Sequence, residues 1–161
     1  MKLHRLLTTT TPAAVVLIRL MVGSVFLTEG VQKFLFAASL GVGRFAKIGF
    51  PHPEVLAPLV GSLEIVCGLL VIAGLATRIA ALPLAVIILT ALVTTKFPIL
   101  VGTGIGPFAA PATGASGFWA FFHEARTDWS MLLGSIYLIL EGGGRLSLDH
   151  SITKHDGEVP R

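Results

Sequence analysis

Charge is scarce in this chain: Asp, Glu, Lys and Arg make up only 13% of its residues. A soluble domain carries about 25%, because its surface must face water. Halving that fraction, with 53% hydrophobic residues and a mean hydropathy of +0.83, means that much of the outer surface faces lipid. Cysteine is nearly absent too. Cys67 stands alone in an apolar run, which excludes an internal disulfide, a CxxC redox centre and a thiolate-held iron–sulfur cluster. The net charge of +3 does not point to nucleic acid, since the basic residues are scattered and phosphate recognition needs them clustered. A nucleotide loop is missing as well: Thr103-Gly104-Ile105-Gly106 has neither a preceding strand nor a following Gly-Lys-Ser/Thr.

What is present is a succession of long apolar runs. They predict an all-α transmembrane four-helix bundle with helices at about 12–36, 54–75, 79–97 and 118–141. Four spans of ~20 residues fill most of the chain, so the expectation is a single membrane domain over 1–161. The first run follows Lys2, His4 and Arg5 in the manner of a signal peptide. It contains Arg19, Glu29 and Lys33, however, and lacks a small-x-small cleavage site, so it reads as a retained helix. Residues 37–53 form a connector that ends in Pro51-His52-Pro53 and is expected along the membrane interface. The hinge Ala76-Thr77-Arg78 is so short that the third span must return antiparallel beside the second, and Pro98 is expected to end it. The Gly/Pro-rich stretch 98–117 is expected to pack over the mouth of the bundle or to dip into the membrane interface. In the fourth run only Trp129 to Leu140 is free of charge, too short to cross ~30 Å at ~1.5 Å per residue. The preceding turns, with His123, Glu124, Arg126 and Asp128, must then be helical and partly within the membrane, or else shielded by the other helices, and His123 and Asp128 form an expected outer-end polar cluster.

An even number of spans leaves both termini on one side. That side holds Lys2, Arg5, Arg78, Arg145, Lys154 and Arg161, against Arg44, Lys47, Lys96 and Arg126 on the other. The excess favours cytoplasmic N- and C-termini.

Within the spans the polar residues fall in stripes. Arg19, Gly23, Phe26, Gly30 and Lys33 recur at steps of three and four, as do Gly61, Glu64 and Gly68. In the fourth run His123, Thr127, Ser130, Gly134, Tyr137 and Glu141 form a third stripe. Glycine lets helices approach and polar groups avoid lipid, so each stripe is expected to face the interior. A charge at mid-bilayer costs about 2.5–3.5 kcal/mol, which calls for partners. With Arg19 ~9 Å and Glu64 ~16 Å from the cytoplasmic end, the expectation is an Arg19–Glu64 pair. Glu29 and Lys33, one turn apart, are expected to pair within their own helix. Such pairs fix register as readily as they bind ligands. Haem ligation by His52 and His123 would require both rings at one depth and is not favoured, and no metal is expected.

The stretch Arg19, Gly23, Phe26, Gly30, Lys33, the stretch Gly61, Glu64, Gly68 leading into Gly74-Leu75-Ala76-Thr77-Arg78, and the ending Gly142-Gly143-Gly144-Arg145-Leu146-Ser147-Leu148-Asp149 together resemble the DoxX family of small membrane proteins. The resemblance covers roughly residues 15–150. It implies a four-helix protein of a bacterial-type inner membrane, associated with lipid and with other membrane or redox proteins. Relatives have been linked to membrane oxidoreductase complexes, including quinone-coupled ones. On that implication Arg19, Glu64, Tyr137, Lys33 and Glu29 are candidates for a quinone or small-molecule site. The chain carries no cofactor motif of its own and is not expected to be an enzyme by itself. The alternatives are a small-solute transporter or channel and a non-catalytic scaffold.

Overall fold

The computed structural model describes residues 13–109 and 114–156, with side chains given as far as 154. The leading residues Lys2, His4 and Arg5 lie outside them. The described residues form seven α-helices: α1 (Val15–Leu35), α2 (Val42–Ile48), α3 (Pro53–Ala73), α4 (Thr77–Ala91), α5 (Phe97–Val101), α6 (Phe118–Glu141) and α7 (Leu148–Asp156). One π-helical turn, Leu92–Lys96, joins α4 to α5. The protein is an all-α transmembrane bundle. Three stretches are long and apolar enough to cross a membrane: Val15–Leu35, Pro53–Ala73 and the composite Thr77–Val101. Leucine, isoleucine, valine and phenylalanine side chains cover their outward faces, among them Leu17, Leu35, Val66, Leu82 and Val86.

Glycine sets the closest contact. Along the antiparallel pair α1 and α3, a Cβ on Gly23 would lie 2.8 Å from the Gly68 carbonyl oxygen. One on Gly30 would lie 2.7 Å from that of Gly61. Both glycine pairs obey a single register, and neither position has room for a methyl group. Without a hydrophobic force between helices in lipid, this backbone proximity is the source of packing energy. Gly134 plays the same part on α6, where a Cβ would meet Val22 of α1 at 2.6 Å. The core between the helices is Val22, Phe26, Val71, Ala81, Leu84, Met131 and Leu138.

The third span does not end at Pro98. Proline has no N–H, and its ring would strike the carbonyl four residues back, at Thr94. The chain widens into a π turn over Leu92–Lys96 instead, and Pro98 enters the first turn of α5. The connector 37–53 contains the short helix α2. The glycine-rich stretch packs against it: Ala109 N–H donates to the Ile48 carbonyl at 3.0 Å, and the Phe50 and Phe108 rings lie 5.2 Å apart.

Opposite α2, the other end of the bundle is tied by its polar groups. Arg19 is buried, but not against Glu64. Its Nε donates to the Val71 carbonyl at 2.9 Å, and its terminal nitrogens donate to the carbonyls of Ile72, Gly143 and Leu146. It thereby closes the C-terminus of α3, where orphan carbonyls and the negative dipole end attract a cation. Gly74, at φ +71°, has no space for a Cβ beside this guanidinium. Asp149 accepts from the Ala76 and Thr77 N–H groups and from the Thr77 hydroxyl. It caps α4 and holds Ala76 at φ +48°, a conformation that alanine adopts only under constraint. Replacing Gly30 by Ala should lower the thermal midpoint in detergent by an amount corresponding to about 1–3 kcal/mol. Ser24→Ala, at an exposed position on the same helix, serves as a control for effects away from the helix contact.

Candidate functional site

Towards the α2 end, the bundle opens into a cavity of about 510 Å³ lined by residues from α1, α2, α3, α4, the π turn and α6. Its walls are apolar where Val25, Phe26, Val60, Ile87, Ile88 and Met131 face it. Its polar groups form two clusters of similar design, each a lysine with two carboxylates. In one, Lys33 of α1 lies 2.7 Å from Glu64 Oε2 of α3 and 3.9 Å from Glu29 Oε2, one turn back on its own helix. In the other, Lys96 of the π turn lies 3.6 Å from Asp128 Oδ2 and 3.9 Å from Glu124 Oε2, both on α6. Arg44 of α2 is a third cation on the lining.

Local structure explains each placement. The Gly30–Gly61 contact brings Glu64 within 3.0 Å of the space a Gly30 side chain would occupy, one turn from Lys33. Arg19 lies eleven residues before Gly30, about 16 Å along the helix and farther than a guanidinium reaches. The expected Arg19–Glu64 pair is therefore replaced by Lys33–Glu64. Lys33 also keeps the Glu29 contact expected within its helix. On the other wall the extra residue of the π turn rotates the downstream residues by roughly 100° about the helix axis. That turn carries Lys96 into the cavity.

Of the residues expected at an interior site, Glu29, Lys33 and Glu64 come together on the cavity wall and Asp128 faces them from α6. Arg19 is outside it, in the knot at the other end. Tyr137 is 38% exposed on the outer face of α6, and His123 is exposed. The buried face of α6 runs through Ala125, Met131, Leu132, Gly134, Ser135 and Leu138, rotated from the expected stripe, of which only Gly134 is buried. His52 is exposed and lies 3.6 Å from Glu54. Sequence reasoning passed over Lys96, Glu124, Arg44 and the threonines Thr90, Thr94, Thr95 and Thr127 as site residues. A lysine at the third span's end, immediately before Phe-Pro, was the available signal for the first.

The chemistry open to this site is that of a small amphipathic guest: an apolar body against Phe26, Ile88 and Met131, with polar edges between the two clusters. Fold and site together define a multi-pass α-helical membrane protein with a charged internal cavity. The DoxX family model matches residues 14–96, and the chain belongs to that family. It is 49% identical over 150 residues to "Uncharacterized membrane protein Rv3486" of Mycobacterium tuberculosis, spanning 93% of this chain and 88% of that one. It is 30% identical over 138 residues to "Putative oxidoreductase CatD" of Bacillus subtilis, spanning 86% of each. No solved structure matches.

Lys33→Met strands the Glu64 carboxylate, 3% exposed, without its counter-ion. Stranding a buried charge costs about 3–5 kcal/mol, whereas removing both partners costs far less. The expected result is a marked loss of thermal stability for Lys33→Met in detergent and substantial recovery in Lys33→Met/Glu64→Leu. If the double variant were no better than the single, the pair would not be coupled.

Proposed function

We propose that this protein is an accessory, quinone-binding subunit of a membrane oxidoreductase complex, crossing a bacterial-type inner membrane four times as one domain with both termini in the cytoplasm. The observation that carries the reading is the cavity of about 510 Å³, in which two lysine–dicarboxylate clusters edge apolar walls. A quinone headgroup is planar and apolar with polar atoms on its rim, and such a ligand needs a few convergent polar groups in a largely hydrophobic pocket. The word oxidoreductase in the CatD name is consistent with this role. Electrons would come from a partner's centres, since the chain has no cofactor motif of its own.

The fourth crossing is supported by where the charges of α6 point. Glu124 and Asp128 turn toward Lys96, which reduces the cost of carrying them into the membrane. The cation excess on the side of the termini supports the orientation. A C-terminal alkaline phosphatase fusion should be inactive and a C-terminal green fluorescent protein fusion bright. The reverse result would overturn the orientation.

Purification in mild detergent should recover a redox protein and roughly stoichiometric quinone in the lipid extract. Glu64→Gln should lower the quinone content severalfold. Transport of a small solute is the second reading, favoured by charges that line an open cavity. Isolation without partner or quinone, together with solute flux in liposomes, would decide for it.

A further inference from the structure

Resting on the quinone reading above, we infer that Arg44 of α2 and Thr127 of α6 are the groups that donate hydrogen bonds to the headgroup carbonyls. Most donors on the cavity wall already have partners. Lys33 is held by Glu64 at 2.7 Å with Glu29 3.9 Å away, and Lys96 is shared between Asp128 and Glu124. Thr90, Thr94 and Thr95 each donate to a carbonyl one turn back on their own helix, at 2.7–2.8 Å. Drawing any of these onto a guest loosens a contact the protein already has, which offsets part of the gain.

Arg44 and Thr127 stand apart. Both line the cavity and both are exposed, and neither forms a hydrogen bond or ion pair among the described residues. Thr127 lacks the acceptor that the other threonines use: the carbonyl four residues back, of His123, accepts from the Arg126 guanidinium. Arg44 lies near enough to Asp128 for its charge to act there, without an ion pair between them. Its place follows from the chain. Gly41 and Gly43 have no room for a side chain against the carbonyls of Lys33 and Ala38, so α2 turns tightly at the end of α1. Phe45, the next residue, lines the cavity and packs on Phe50 with ring centroids 5.0 Å apart. The two rings form an aromatic wall in the same short segment as the guanidinium, and a flat conjugated ring stacks on such a wall. A guanidinium holds five N–H donors in one plane, and a carbonyl oxygen accepts near its own plane, so a single arginine fixes both the place and the tilt of a quinone ring. Its charge makes the bond stronger than the neutral one from Thr127. The lysine–carboxylate clusters keep their pairs and border the rest of the headgroup.

The test uses the whole protein in nanodiscs and a short-chain benzoquinone bearing one isoprene unit. Binding is read by equilibrium titration, and hydrogen bonding by the infrared carbonyl stretch of the bound quinone. In the unaltered protein the carbonyl bands should lie below those of the quinone in protein-free nanodiscs. Arg44→Met should weaken binding about tenfold and return one band to the protein-free position. Thr127→Val, which retains side-chain shape, should weaken binding about threefold. Lys47→Met removes an exposed cation of the same helix that does not line the cavity, and should leave affinity and bands unchanged. An unmoved band in Arg44→Met, whatever its affinity, would overturn the assignment of Arg44 and leave the quinone reading standing. An equal loss in Lys47→Met would overturn it as well, by showing a general effect of charge. Full affinity in Thr127→Val would overturn the part given to the threonine. No binding to the unaltered protein would overturn the quinone reading and this inference together.

Discussion

Gly23 against Gly68 and Gly30 against Gly61 bring α1 and α3 together backbone to backbone, and that contact has no slack. It fixes how far α1 is slid along α3, and hence the height of every charged group on the two helices. Arg19 is thereby placed beside the last carbonyls of α3, and Lys33 beside Glu64. A shift by one helical turn, about 5.4 Å, would separate both sets and leave several charges in hydrocarbon without partners. Contact and charges reinforce each other: glycine permits the approach, and the ion pair penalises any other register.

The two ends of the bundle use polar chemistry in opposite ways. Around Arg19 and Asp149 the groups satisfy one another closely, each guanidinium nitrogen and carboxylate oxygen meeting a backbone or hydroxyl partner. Around Lys33 and Lys96 the Lys33–Glu64 pair is close, at 2.7 Å, but the contacts to Glu29, Glu124 and Asp128 reach 3.6–3.9 Å, and the groups border open space. Closely satisfied networks rigidify, whereas loosely satisfied ones beside a cavity are available to a guest. One end therefore reads as structure and the other as site.

Much of this architecture was legible in the amino-acid sequence. Apolar runs gave the membrane class, and the three- and four-residue spacing correctly turned Gly23, Gly30, Gly61, Gly68, Arg19 and Glu64 inward. Periodicity assigns faces, however, and not the sliding of one helix against another; that is why Glu64 was matched to the wrong cation. On α6 polarity was a poor guide to the interior. Ser130 satisfies its hydroxyl on the Arg126 carbonyl of its own helix and can face outward, while apolar Met131 and Leu138 fill the core. Lys96 needed the π turn to reach the cavity, and one Pro in an apolar run does not reveal whether a helix will stop, kink or widen.

The knot around Arg19 and Asp149 joins α1 to the segment that follows α6. The guanidinium of Arg19 waits for carbonyls at Gly143 and Leu146, and the strained Ala76 waits for Asp149. Synthesis proceeds from the N-terminus, so these acceptors emerge after all the long helices. A product released a few residues after Glu141 would hold all the long helices and still fail to close this end. Until that segment is in place, Arg19 rests on the Val71 and Ile72 carbonyls of α3 alone, and its bonds to Gly143 and Leu146 join the first long helix to the segment after the last.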